Sequence, residues 1–239
     1  MHRESSDPAR PRLGRRMQRK EWARQELLLA GRQLFSEKGL YESRVEDLAR
    51  IAGIAKGTLY LYFRDKEDLI QAVVTAGFEL LQQRVRERTE GARALSDVVS
   101  RIVATHLEFF VENPDLMRIF HQARGMLKFD RPRWRPLRVP LLKHLESVAD
   151  LLGQTPSLAP LSPGERLDLA IQLFGVVSGV TSVRVAAKRS ATAEVDAHAL
   201  GWALVAAFKK RPAVGAALGR RRRPRQARPP RRRRVVQAS

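Results

Sequence analysis

The segment Ala55-Lys56-Gly57-Thr58-Leu59-Tyr60-Leu61-Tyr62-Phe63 gathers residue types that suit contact with a phosphate-lined surface. Lys56 can reach a phosphate or a guanine edge, and Gly57 has no side chain to hold a duplex away from the backbone. Thr58, Tyr60 and Tyr62 offer hydroxyls to phosphate oxygens, and a threonine methyl or a tyrosine ring can also touch a thymine methyl. A plainer reading makes Tyr60 and Tyr62 core aromatics with their hydroxyls at the edge. Leu59 and Phe63 are assigned to the core. Catalytic and metal chemistry find much less to work with. The five histidines form no His-Glu-x-x-His and no closely spaced pair, cysteine is absent, and neither a Walker loop, Gly-x-Ser-x-Gly nor Gly-x-Gly-x-x-Gly occurs. No cofactor, no metal and no enzymatic activity are expected.

The elements around this segment read as helices. From Trp22 to Lys38 the residues Leu27, Ala30, Gly31, Leu34 and Phe35 follow helical spacing, with Gly39 as a stop. Ser43 and Glu46 have the spacing of a capping box ahead of Val45, Leu48, Ala49 and Ala52, and Gly53 ends that short helix. Two short helices meeting at a glycine turn predict a helix-turn-helix. Asp65 is the expected N-cap of a longer helix with Leu69, Val73, Ala76 and Leu80 on its buried stripe. Further helices are expected from beyond about residue 90 to a stop at Asn113-Pro114, from Asn113-Pro114 onward, over 141–152, from Ser162-Pro163-Gly164-Glu165 to about Ala187, and from Ala193 to Lys210. Pro132, Pro136 and Pro140 predict an irregular stretch between them. No alternating strand pattern is present, so the fold class is all-α with about nine helices.

The charge is concentrated at the ends. The 239 residues carry a formal charge of +20, of which residues 1–24 hold 8 basic and 3 acidic side chains and residues 209–239 hold 13 basic and none acidic. Such a balance points to a polyanionic partner. The middle is nearly neutral and rich enough in apolar residues to bury a core, whereas both ends lack the means to offset chain ordering. Four segments follow: a flexible basic arm at 1–20, a helix-turn-helix domain at 21–70, a larger helical domain at 71–210, and a disordered Arg/Pro-rich tail at 211–239. Arg10, Arg12, Arg15, Arg16, Arg19 and Lys20 of the arm are placed to follow a DNA backbone or enter its minor groove. The uncharged run from Leu169 to Val183 is 15 residues, short of a bilayer span, so no membrane partner is expected. The absence of cysteine makes a reducing compartment the simpler assumption.

The run from Leu27 to Tyr41, then Val45-Glu46-Asp47-Leu48-Ala49, the segment Ala52 to Phe63, and Lys66-Glu67-Asp68-Leu69 closely resembles the N-terminal domain of TetR/AcrR-family transcriptional regulators. The resemblance covers roughly residues 24–75. It implies a homodimer, a three-helix DNA-binding head, a connecting fourth helix and a larger helical domain that binds an effector and holds the dimer. By position in the family motif, Lys56, Gly57, Thr58, Tyr60 and Tyr62 contact DNA, with Arg44 and Lys66 clamping the backbone on either side. Two positions depart from the usual pattern: Ser43-Arg44 stands where paired hydroxyl residues are common, and Ala55 where serine is common. The family's pocket lies among the middle helices, which here bear His106, Phe109, Phe110, Met117, Phe120, His121, Trp134 and Phe174, a set suited to a hydrophobic or aromatic small molecule. Taken singly, each of these reads more readily as core, and His106 as a hydrogen-bonded core histidine. The last two helices are expected to form the dimer seam through Gly175, Ser178, Gly179, Ser182, Trp202, Val205 and Phe208.

The expectation is a cytoplasmic, nucleoid-associated dimer that binds a palindromic double-stranded operator, most simply a repressor released by an effector of unknown identity. The competing expectation is a sequence-neutral nucleic-acid-compacting protein that binds through its Arg-rich arms.

Overall fold

The structure, a computed structural model, describes residues 10–129, 131–187 and 193–209. Among them are nine α-helices and no strand: α1 (Arg10–Lys38), α2 (Val45–Ile51), α3 (Lys56–Leu59), α4 (Lys66–Thr89), α5 (Leu95–Glu112), α6 (Pro114–Leu127), α7 (Arg138–Gly153), α8 (Pro163–Ala186) and α9 (Ala193–Lys209). A 3₁₀ turn at Pro132–Leu137 absorbs the prolines between α6 and α7. Pro140 lies in the first turn of α7, where a missing N–H is tolerated. The all-α expectation holds.

Several local expectations change. Residues 10–20, expected as flexible arm, continue α1 back to Arg10. Arg, Lys, Gln and Met are good helix formers, and Pro11 falls in the first turn, so composition that lacks a core can still extend a helix nucleated downstream. The expected arm residues 1–9 and tail 211–239 lie outside the described residues. The capping box at α2 does not form. Ser43 is buried and its hydroxyl donates to the Gly39 carbonyl at 2.6 Å, Arg44 takes the N-cap position without a side-chain cap, and Glu46 turns to Lys56. The box at α8 does form, with the Glu165 carboxylate accepting from the Ser162 N–H and the Glu165 N–H donating back to the Ser162 hydroxyl. Asp65 caps α4 through the Asp68 N–H at 2.7 Å.

α4 is the mast of the molecule. It packs against α1, α5, α6 and α7, which is why its buried face is Leu69, Ile70, Val73, Val74, Gly77, Phe78, Leu81 and Val85, wider than the stripe its spacing predicts, with Leu80 left exposed. Gly77 permits close approach: a Cβ there would meet Leu116 and Phe120 of α6 at 2.9 Å. On the far side α9 lies along α5, and a Cβ at Gly201 would meet Ser100 at 2.9 Å. The body is therefore a helical bundle sealed on one side by α9.

α8 combines two faces. Leu169, Ala170, Leu173, Phe174 and Val177 are buried in a bundle shared with α7, while Ile171, Gly175, Val176, Gly179 and Val183 are exposed. From Pro163 to Arg184 it is long and apolar enough to cross a membrane by composition alone, a length the uncharged run underestimates because it stops at single charged residues. Its buried face accounts for much of that apolar character.

Candidate nucleic-acid interface and ligand cavity

The head is built on α1, α2 and α3, closed by the start of α4. Leu27, Leu34, Phe35, Leu40, Leu48, Leu59, Phe63 and Leu69 are buried together, so Leu59 and Phe63 have the core role expected of them. The turn between α2 and α3 passes through Gly53 at φ +65°, the left-handed region in which a side chain is strained. That turn aims the α3 segment outward.

With Leu59 and Phe63 anchored inside, Lys56, Gly57 and Tyr60 come out on the exposed side. Tyr60 is 47% exposed, and the space a Cβ would take at Gly57 is open. Thr58 is half-buried, as is Tyr62, which packs against the core; the two-way reading of the tyrosines thus resolves differently for each. Arg44 is exposed at the start of α2. Lys56 pairs with Glu46, which holds the ammonium above its ordinary pKa and is itself held below the usual carboxylate range. DNA binding by Lys56 would require this exposed pair to part, an inexpensive exchange in water.

Lys66 departs from its expected role as a backbone clamp. Its ammonium donates to the carbonyls of Tyr41 at 2.9 Å and Ser43 at 2.8 Å, and partial burial lowers its pKa. The residue ties the α1–α2 loop to α4 and positions the head rather than reaching out of it. Leu61, to which no role was assigned from sequence, is 74% exposed between the two tyrosines. The signal was available: Leu59 and Phe63 sit four residues apart, so on a helical turn the residue midway between them faces away.

In the body, the expected pocket residues divide. A cavity beneath α6 is lined by Phe110, Phe120, His121 and Phe174 of the expected set, together with Val74, Phe78, Arg124, Leu137, Leu141 and Ser178. The space it leaves for the centre of a water-sized sphere is about 20 Å³, close to the room one water needs. Phe109, Met117 and Trp134 do not line it: they are core, Phe109 because α5 turns it inward beneath Arg84 and Trp134 because it packs on Tyr41.

His106 is core as well. Its Nδ1–H donates to the Ile102 carbonyl at 2.7 Å, which leaves Nε2 to accept from Nε2–H of His144 at 2.9 Å. Both rings are buried and their pKa values fall, that of His106 to about 4, because burial disfavours the imidazolium. Unfolded histidines take up protons near pH 6.5 while this pair does not. Stability is therefore unaffected above that pH and is lost as pH falls from about 6.5 toward 4. Chemical denaturation across that window is expected to show a loss on the order of 3 kcal/mol from His106 alone, absent in a His106→Leu/His144→Leu variant. An equal acid loss in that variant would assign the sensitivity elsewhere.

Among the described residues, two sets of hydrogen bonds tie α1 and the loop after it to α6 and its N-cap, beside the contacts of Tyr41 with Trp134 and of Glu67 with Arg133. The Arg32 guanidinium on α1 donates to the Asp115 carboxylate and, at 2.8 Å, to the Asn113 side-chain oxygen, while the Leu40 N–H donates to the Gln122 side-chain oxygen at 2.7 Å. The same helix supplies Phe120, His121 and Arg124 to the cavity.

Residues 27–73 match the family model for bacterial regulatory proteins of the tetR family. Over those residues the head is similar to the heads of TetR-family regulators. HTH-type transcriptional regulator UidR of Escherichia coli K12 is 34% identical over 103 residues, 43% of this chain and 52% of that one. UidR of Shigella flexneri matches to the same extent. The chain thus spans about half the length of the curated relatives it matches. The TetR likeness extends in fold over the body. FadR from Bacillus halodurans superposes with TM-score 0.65 at 18% identity, over 75% of this chain and 96% of that one. A TetR-family transcriptional regulator of Mesorhizobium loti gives 0.64 at 19% identity over 79% and 98%. FadR from Bacillus subtilis, solved in complex with stearoyl-CoA, gives 0.60 at 17% identity over 76% and 97%. At these identities the body's likeness to TetR regulators is one of fold.

Proposed function

We propose that this protein is a dimeric, sequence-specific DNA-binding transcriptional regulator, acting as a repressor released from its operator by a small hydrophobic or aromatic effector. The observation that carries the reading is the orientation of the α3 segment: Leu59 and Phe63 are locked inside while Lys56, Gly57 and Tyr60 face out, flanked by exposed Arg44. Thr58 and Tyr62 stand at the edge of that surface, and Lys66 supports it from behind. A palindromic double-stranded operator then presents two major grooves about one helical turn apart to two such heads. Activity on the nucleoid within the cytoplasm and the absence of catalysis belong to the same reading, as does the regulator role of the relatives.

The dimer is carried by α8 and α9. Ile171, Val176 and Val183 are exposed on α8 together with Gly175 and Gly179, small residues that admit close helix approach, and Trp202 is exposed on α9. Ser178, Val205 and Phe208 leave the expected seam, since they are buried within the monomer, and the Ser182 hydroxyl is turned to His121. The switch is carried by α6. An effector entering the cavity cannot fit without moving its walls, and α6 is bonded to the head within α1 through Arg32 and just past its C-terminus through Leu40. A differential affinity of about 1–3 kcal/mol between the two arrangements would change operator binding roughly 5- to 150-fold. The stearoyl-CoA held by a fold neighbour supports a ligand site in such a body.

The charge of +20 favours one competitor, a sequence-neutral compacting protein. Enrichment of bound fragments from random or genomic DNA, with the full chain and with residues 212–239 deleted, separates the two. A regulator yields one palindromic motif from both proteins, with the deletion weakening mainly salt-sensitive background binding. Enrichment of no motif, or near-complete loss of binding on deletion, would establish the competitor.

A further inference from the structure

The cavity beneath α6 is apolar except at one edge, and that edge carries an unbalanced positive charge. Arg124 donates to the Ser178 hydroxyl at 2.8 Å and to Nδ1 of His121 at 3.0 Å. With Nδ1 accepting, the other ring nitrogen of His121 carries the proton and donates to the Ser182 hydroxyl at 2.8 Å, and the Ser182 hydroxyl donates to the Ser178 carbonyl at 2.7 Å. Every partner in this ring is neutral. Burial and the neighbouring guanidinium lower the pKa of His121, so it does not add a second charge. Among the described residues no carboxylate pairs with Arg124, whereas Arg32, Arg84, Arg88 and Arg101 each have one.

A half-buried guanidinium against an aromatic wall is costly without a counter-charge, and its fork matches a two-oxygen anion. Two of its five N–H groups are engaged by Ser178 and His121. Phe78, Phe110, Phe120 and Phe174 form the wall itself, with Phe78 and Phe120 stacked at 4.1 Å and an interplanar angle of 4°. One positive charge balances one negative charge, which favours a carboxylate over a phosphate dianion.

We infer that this cavity takes a monocarboxylate with an aromatic or short acyl body, its carboxylate on Arg124 and its apolar part among the four phenylalanines. The inference rests on reading the helical body as an effector receptor and names the effector's chemical class. Because the resting cavity has room for little more than a water, the ligand enters by prising Phe120 from Phe78, and so displaces α6 directly.

The test is calorimetric titration of the full-length protein with benzoate, cinnamate and octanoate against benzamide, cinnamamide and octanamide, which keep the shape and remove the charge. At least one carboxylate is expected to bind about 10- to 100-fold more tightly than its amide. Arg124→Gln is expected to abolish that difference and Arg118→Gln, on the exposed side of the same helix, to preserve it. The wild-type comparison needs no variant, so it decides the matter even if Arg124→Gln fails to fold. Equal binding of acids and amides overturns the inference and leaves the receptor reading standing. Discrimination that survives in a folded Arg124→Gln overturns the assignment to this cavity, and binding of neither series removes both readings. Carboxylate binding by a protein that recognises no DNA sequence would uphold the site and remove the regulator.

Discussion

Replacing Tyr60 by alanine is expected to abolish sequence-specific DNA binding while leaving the molecule folded and dimeric. The side chain is 47% exposed at the end of α3, where truncation removes no core contact and costs at most about 0.5 kcal/mol of stability. In the complex it would supply a phosphate-directed hydroxyl and a ring against the groove, worth about 1–2 kcal/mol in each head. Two heads acting together make the loss roughly 30- to 1,000-fold, enough to erase a footprint at ordinary protein concentration. Leu59→Ala provides the contrast. Leu59 is fully buried, so its truncation is expected to cost about 2–5 kcal/mol and to lower the melting temperature together with DNA binding. Undiminished specific binding by the Tyr60 variant would detach the α3 segment from recognition.

Replacing Trp202 by glutamate is expected to convert the proposed dimer to a monomer. Trp202 is 70% exposed on α9 and stands clear of the α5 contact that buries Ala197, Gly201, Leu204, Val205 and Phe208, so the monomer fold does not depend on it. Tryptophan at the centre of an interface commonly contributes 2 kcal/mol or more, and a buried unpaired carboxylate adds a desolvation cost. Together these weaken association by well over about 100-fold. Sedimentation at micromolar concentration is expected to show a single monomeric species with an unchanged circular dichroism spectrum, and operator binding is expected to fall because two heads no longer arrive as a unit. A Trp202→Glu protein that sediments as the wild type does would move the seam away from α8 and α9.

Much of this architecture was legible from residue spacing, and the limits have physical causes. The stripe from Leu27 to Phe35, the stop at Gly39, the turn at Gly53 and the cap at Asp65 are local signals, and each is present where expected. What failed depended on partners distant in sequence. Ser43 and Glu46 have capping-box spacing, but Gly39 and Lys56 compete successfully for them. Lys66 looks like a surface cation until the Tyr41 and Ser43 carbonyls fold over it. Within the candidate site, Lys56, Gly57 and Tyr60 are exposed as their types and positions lead one to expect, whereas Leu61 was given no role because an apolar side chain offers phosphate nothing to bond.

The pocket was harder to read, for a related reason. Phenylalanines that line a cavity and phenylalanines that fill a core have the same composition and the same helical period, so Phe109 and Phe110 cannot be told apart until α5 is placed. Arg124 was overlooked because a lone arginine on an amphipathic helix ordinarily faces solvent. Its company, with no acid in it, is His121 one turn back on α6 and Ser178 of α8, 54 residues later, with Ser182 behind the histidine.

The bonds from Arg32 to Asn113 and Asp115, and from Leu40 to Gln122, set a condition on modularity. A chimera that grafts residues 21–70 onto a foreign sensory body would sever all of them at once, leaving a head that still folds but no longer hears its new receptor. Carrying Asn113, Asp115 and Gln122 across with the graft would rebuild these bonds.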